Sequence, residues 1–167
     1  VFALNYLVGS VGREGGLILN PGSPLPDALP ANRSGDPYAR WAEIARQIAN
    51  GQITTVLVHR ANPVYSLPPA SGFREALANA GSVVSFSPFL DETTMLADLV
   101  LPDLTLLEQW GLVVPDPGPG FEIVAVQQPV VNPFVDARAF GDTLIQIAAR
   151  LGQPLPWSSQ EEAVRAL

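Results

Sequence analysis

A chain of 167 residues that is 47% hydrophobic and 15% charged has the composition of a folded domain rather than of a disordered segment. Its net charge of −7, with no lysine anywhere, argues against nucleic-acid binding and excludes a Schiff-base lysine, a phosphate-loop lysine and a lysine-built membrane patch. The absence of cysteine excludes disulfides, thiolate metal sites and cysteine-held clusters within this stretch, and a single histidine leaves no histidine-rich metal site.

The chain opens with an apolar run, Val1 to Val8, that reads as the end of a helix closed by Gly9, Gly12, Gly15 and Gly16. These glycines follow no strand and lack the G-x-G-x-x-G spacing, so they do not make a dinucleotide fingerprint. Leu19 to Gly35 holds four prolines and two glycines, which no regular element survives; it reads as a surface or mobile loop, and the sequon Asn32-Arg33-Ser34 as chance. Asp36 as N-cap and Pro37 at the first position start a helix that presents Trp41, Ile44, Ala45 and Ile48 on one face before Gly51.

The centre of the chain is a strand–helix–strand unit. Thr55 to His59 is a β-branched apolar run, Phe73 to Ala80 has helical spacing, Val83 to Phe86 is a second apolar run, and Leu99 to Leu101 a third short strand. A crossover helix implies parallel strands covered on both faces. The expected fold is therefore α/β: a three-layer Rossmann-like domain with a mainly parallel sheet, in which Val56, Leu57, Val58, Val84, Leu99 and Leu101 are buried under Trp41, Ile44 and Leu77. After it come an irregular run from Thr105 to Trp110, a turn at Asp116–Gly120 and a strand over Phe121–Gln127. Asn132 to Asp136 is extended, and a helix carries Phe140, Leu144, Ile147, Ala148 and Leu151 up to Gly152. Ser159 with Glu162 forms a capping box for a last short helix. The domain plan is a helix end and Pro/Gly-rich loop over 1–35, the α/β domain over 36–152 and a tail with a short helix over 153–167.

In open parallel sheets a ligand lies beyond the carboxyl ends of the strands, where helix N-termini and loose backbone donors collect. Two segments fall there: Arg60-Ala61-Asn62-Pro63 with Ser66, and Ser87-Pro88-Phe89-Leu90-Asp91-Glu92-Thr93. His59 reads as a packed, hydrogen-bonded residue, since no nucleophile motif accompanies it. Asp91, Glu92 and Asp98 read as capping and loop-holding groups rather than an acid/base cluster.

ANPVYSLP followed by SFSPFLDETTMLADLVLPDLTLLEQWG resembles the molybdopterin oxidoreductases of the dimethyl-sulfoxide-reductase type, with their NP turn, F-x-x-ET segment and AD-x-x-LP. LNYLVGSVGREGG at residues 4–16 is similar to the preceding segment of that family, and the likeness continues through Pro129 to the Gly141-Asp142 helix. The resemblance implies a molybdopterin guanine dinucleotide in the parent protein, with Arg60, Ala61, Asn62, Pro63, Ser66, Ser87, Phe89, Glu92, Thr93 and Asp98 lining or holding its site. It also implies that Glu108 and Trp110 lie near the cofactor edge. Two positions depart from the family pattern: glycine is usual where Arg60 stands, and an acidic residue is frequent where Ser87 stands. These departures set a rival expectation, a cofactor-free structural domain of a respiratory complex subunit in which the Arg60 side chain fills the crevice and pairs with Glu92 or Asp91. An unrelated α/β domain for a small ligand is a third.

The metal ligand and cluster cysteines of that family lie elsewhere in its chains, so no catalytic or metal-binding residue is expected here, and no cofactor in the isolated chain. A start at Val1, a single Met95 and a mean hydropathy of +0.22 suggest a piece of a larger protein. The expected partners are the remaining domains of the parent chain, with iron–sulfur and membrane subunits of an electron-transfer complex. No nucleic acid and no direct membrane insertion are expected. Substrate and localisation are not legible.

Overall fold

In the computed structural model, residues 2–18, 38–115 and 120–167 are described. The proline-rich loop from Leu19 to Gly35, the Asp36–Pro37 helix start and most of the Asp116–Gly120 turn lie outside them. The helices are α1 (Phe2–Leu7), α2 (Tyr38–Ala49), α3 (Pro63–Ser66), α4 (Phe73–Ala78), α5 (Phe140–Arg150) and α6 (Gln160–Ala166). The strands are β1 (Thr55–His59), β2 (Ser82–Phe86), β3 (Leu99–Val100), β4 (Gly111–Val113) and β5 (Ala125–Gln127). No helix among the described residues is long and apolar enough to cross a membrane.

β1, β2 and β3 form a parallel sheet in that order, with Leu57 opposite Val84 and Val84 opposite Leu99. The fold is therefore α/β, as the strand–helix–strand pattern requires. Alternation of side chains across the pleat puts Val56 and Val83 on one face, where they meet Ala45 and Ile48 of α2 and Phe73, Ala76 and Leu77 of α4. Trp41 and Ile44 close this core, Trp41 meeting Phe73 edge-on at 5.6 Å. Leu77 and Val83 are each 1% exposed, and complete burial of such a side chain contributes about 1.5–3 kcal/mol. Gly72, at φ 66°, ends the 3₁₀ turn Pro69–Ser71 and starts α4, a left-handed step that glycine makes without a steric penalty.

The second face is less covered than a three-layer plan supposes. Phe140, at the start of α5, stacks on His59 with ring centroids 3.9 Å apart and meets Phe86 edge-on at 4.9 Å. That cover reaches only the carboxyl end of the sheet. Leu57 is 48% exposed, Leu99 49% and Leu101 36%, so the expectation that all three are buried is corrected. The physical reason is that the register places Leu57, Val84 and Leu99 in one row on the face away from α2 and α4. Val58 is buried as expected, whereas Val56 and Val84 are half-buried, short of the burial expected of them.

Beyond the sheet, β4 and β5 pair antiparallel as a separate hairpin, with Leu112 opposite Val126. The strand expected over Phe121–Gln127 thus shortens to its last three residues, and β4 was not anticipated. The run before β4 forms a 3₁₀ turn, Leu106–Glu108, whose capping box is made by Thr105 and Glu108. α6 begins as the Ser159 signature suggests, its hydroxyl accepting from the Glu162 amide at 3.1 Å. The Glu162 carboxylate, however, reaches the backbone and hydroxyl of Ser158. Gln160 ties this helix to α5: its amide donates to Asp142 and its side-chain oxygen accepts from the Gly141 amide. Its side-chain nitrogen reaches Gln109 and the Trp110 carbonyl, and Arg165 lies over the Trp110 ring at 4.4 Å.

Candidate functional site

A cleft of about 450 Å³ opens at the carboxyl edge of the sheet, lined by Arg60, Ala61, Asn62, Ser87, Phe89 and Leu106 among others. Five of the ten residues expected at a site line this cleft. Each arrives there because its strand ends: β1 delivers Arg60 to Asn62, and β2 delivers Ser87 to Phe89.

Asn62 is held from both sides. Its side-chain oxygen accepts from the Thr93 hydroxyl at 2.7 Å, and its nitrogen donates to Glu92 at 2.6 Å. Thr93 is fully buried, and the same hydroxyl accepts from the Val64 amide at 3.1 Å, so it orients the first turn of α3 as well as Asn62. The bond from Asn62 holds the Glu92 carboxyl below its usual range. Asp91 accepts from the amides of Thr93 and Thr94 at 3.1 and 2.8 Å, a capping role that leads into the 3₁₀ turn Thr94–Leu96.

The remaining expected residues serve the scaffold. Pro63 is buried at the start of α3 and Ser66 donates to the Asn62 carbonyl at 2.9 Å. Ser87 is buried, and its hydroxyl is occupied by the backbone of Phe89, accepting from its amide at 3.1 Å and donating to its carbonyl at 2.9 Å. Phe89 itself is 73% exposed. Asp98 is not brought to the cleft: its carboxylate accepts from the Val83 amide at 2.7 Å, toward the amino end of β2. Glu108 is used by Thr105 and by the Phe134 amide, and the Thr105 hydroxyl above all keeps its pKa lowered.

Arg60 adopts φ 49°, the one left-handed non-glycine residue among those described. A side chain there costs on the order of 1 kcal/mol or more that glycine does not incur. Its guanidinium is turned along the wall of the cleft, donating from Nε to Asp103 at 2.7 Å and from Nη2 to the Leu104 carbonyl at 2.6 Å. The expected pairing with Asp91 or Glu92 is therefore corrected. The partner is Asp103, whose carboxylate is wholly buried and also takes His59 Nε2 at 2.9 Å and the Phe140 amide at 3.0 Å. A buried carboxylate draws a cation strongly, whereas Asp91 and Glu92 have their oxygens engaged by backbone and amide donors. His59 is thus packed and hydrogen-bonded, as its strand-end position suggests.

Asp103 was missed in the sequence, although a signal was available. It follows the third strand in the same way that Arg60 and Ser87 follow the first two, and the crevice argument extends to it. Among the described residues no group of three or more His, Asp or Glu side chains could hold a metal ion.

A family model described as molybdopterin oxidoreductase matches residues 2–150. The menaquinone reductase molybdopterin-binding-like subunit of Nitratidesulfovibrio vulgaris is 36% identical over 167 residues, covering 98% of this chain and 24% of its own length. A tetrathionate reductase subunit of Salmonella typhimurium is 30% identical over 104 residues, 56% of this chain and 10% of its own length. The chain therefore spans about a quarter of the first relative and a tenth of the second.

Proposed function

Because the chain belongs to the molybdopterin oxidoreductase family, we propose that it is the nucleotide-side α/β domain of a large subunit of that type, with its cleft now serving as a structural joint. The observation that carries this reading is the Arg60–Asp103 pair. A molybdopterin guanine dinucleotide would bring two phosphates to this edge, and Arg60 is the only cation lining the cleft among the described residues. Two of its nitrogens are committed to Asp103 and the Leu104 carbonyl, and the one other charge lining the cleft among the described residues, Asp91, is negative. The Ser87 hydroxyl is likewise taken by Phe89. These residues do not fit a bound dinucleotide. The description of the menaquinone reductase relative as molybdopterin-binding-like supports the same reading.

The reading of the site as a cofactor holder has one observation in its favour: the cleft keeps a volume of about 450 Å³ beside the Asn62 turn. Under either reading the domain works with the rest of its polypeptide and with iron–sulfur and membrane partners of an electron-transfer complex. The test is acid extraction of the purified complete subunit followed by mass spectrometry. Absence of pterin and guanine nucleotide is the expected result. One equivalent of either would refute the structural reading and establish the holder.

A further inference from the structure

The central sheet has an open side. Thr54 accepts from the Ser82 amide and Arg60 donates to the Phe86 carbonyl, so the even-numbered residues of β1 face β2. Parallel strands alternate the direction of their polar groups, and Thr55, Leu57 and His59 therefore aim three N–H and three C=O groups away from the sheet. Among the described residues nothing pairs with them. Proteins normally blunt such an edge with lysine, proline or a bulge, and β1, TVLVH, has none of these.

A groove of about 370 Å³ runs along this same edge, lined by Trp41, Ile44, Ile53, Val56, Val58 and Phe73 together with the outward residues of β1. On the opposite face the neighbouring row is also apolar, with Leu57 48% exposed. A strand laid on β1 would thus meet apolar surface on both of its faces, the environment of a central strand rather than of an edge.

We infer that the free edge of β1 and its groove form a strand-addition site that takes an extended, continuously apolar segment from elsewhere in the same subunit. The relative matched across 98% of this chain is about four times its length, so a polypeptide of that type carries ample chain to supply the strand. Main-chain bonds to Thr55, Leu57 and His59 fix the register, and apolar side chains fill the Trp41–Phe73 groove. This inference stands apart from the fate of the cleft, whose cofactor content is read by extraction.

Amide exchange at single-residue resolution, on the complete subunit in its native complex, tests it. With the added strand, Thr55, Leu57 and His59 exchange within about tenfold of Val56 and Val58. An alternating pattern, fast at the three odd positions and slow at the two even ones, would overturn the inference. A photo-crosslinker, p-benzoylphenylalanine, in place of Thr55 identifies the strand. Crosslinks to an apolar segment of the same subunit outside residues 1–167 support it. Crosslinks within 1–167, to a second copy or to another subunit refute it.

Discussion

Removing the Asp103 side chain is the sharpest perturbation of the cleft. Three donors converge on this carboxylate: His59 Nε2, Arg60 Nε and the Phe140 amide. Hydrogen bonds to a charged group contribute about 1.5–3 kcal/mol each, and simple addition would exceed what single substitutions cost. Solvent reduces the sum, because the Arg60 side chain is 36% exposed and His59 31%, so water can replace part of what they lose. The Phe140 amide gains no such replacement if its surroundings stay packed. Breaking a buried pair costs about 3–5 kcal/mol, and the partial exposure places Asp103→Ala near the lower end, about 3 kcal/mol. Urea denaturation followed by tryptophan fluorescence measures it. Arg60→Gly supplies the control: it loses the same ion pair but relieves the left-handed backbone by about 1 kcal/mol, so it is more stable than Arg60→Ala by that amount. A cost below about 1 kcal/mol for Asp103→Ala, or equal stability of the two Arg60 variants, would refute the assigned role of this pair.

Leu77→Ala, at a side chain 1% exposed, should cost about 2–5 kcal/mol in the same assay, whereas Leu57→Ala, at 48% exposure, should cost under about 1 kcal/mol in the isolated chain. Glu92, Glu108 and Glu162 have folded-state pKa values lowered from 4.5, principally by Asn62, Thr105 and Ser158 respectively. Their contribution is complete above the unfolded value and is lost as pH falls through the depressed folded values, so a Tm series from about pH 6 to pH 3 should decline less steeply for Glu108→Gln than for the parent. Gly16→Ala would place a Cβ 1.9 Å from the Ser10 carbonyl oxygen, within backbone that cannot yield cheaply; loss of the Ser10–Leu17 hydrogen bond, seen as rapid exchange of the Leu17 amide, is the expected outcome.

The elements read best from the sequence are those in which period and burial agree. β1, β2, α2 and α5 are marked by β-branched runs or by apolar residues at helical spacing, and the structure forms all four close to the expected bounds. Leu57 shows where that logic stops: an apolar run states that a strand would tolerate burial on both faces, not that both faces are covered within these residues. β4 was hidden because three residues of a hairpin carry no period, and its partner lies on the far side of a turn. At the site, the Asn62 turn and the Ser87–Phe89 turn were legible because they follow strand ends. Asp103 follows a strand end too, but an acidic residue after LP carries no mark of burial, and its burial appears only once Phe140 closes over it. Asp98 shared its motif with Thr93 yet went to the opposite end of the sheet, because the 3₁₀ turn Thr94–Leu96 carries the chain back to the start of β3, and Asp98 immediately precedes that strand.

The ties made by Gln160 decide where this unit can be cut. The match to the family model ends at residue 150, and a chimera or shortened variant guided by it would be spliced there. Such a splice would strip partners from the Gly141 amide, Asp142, Gln109 and Trp110, all upstream of the cut. It would also uncover the Trp110 ring beneath Arg165. A graft that carries the domain into another scaffold therefore needs residues through Ala166, the end of α6, as part of the transplanted module.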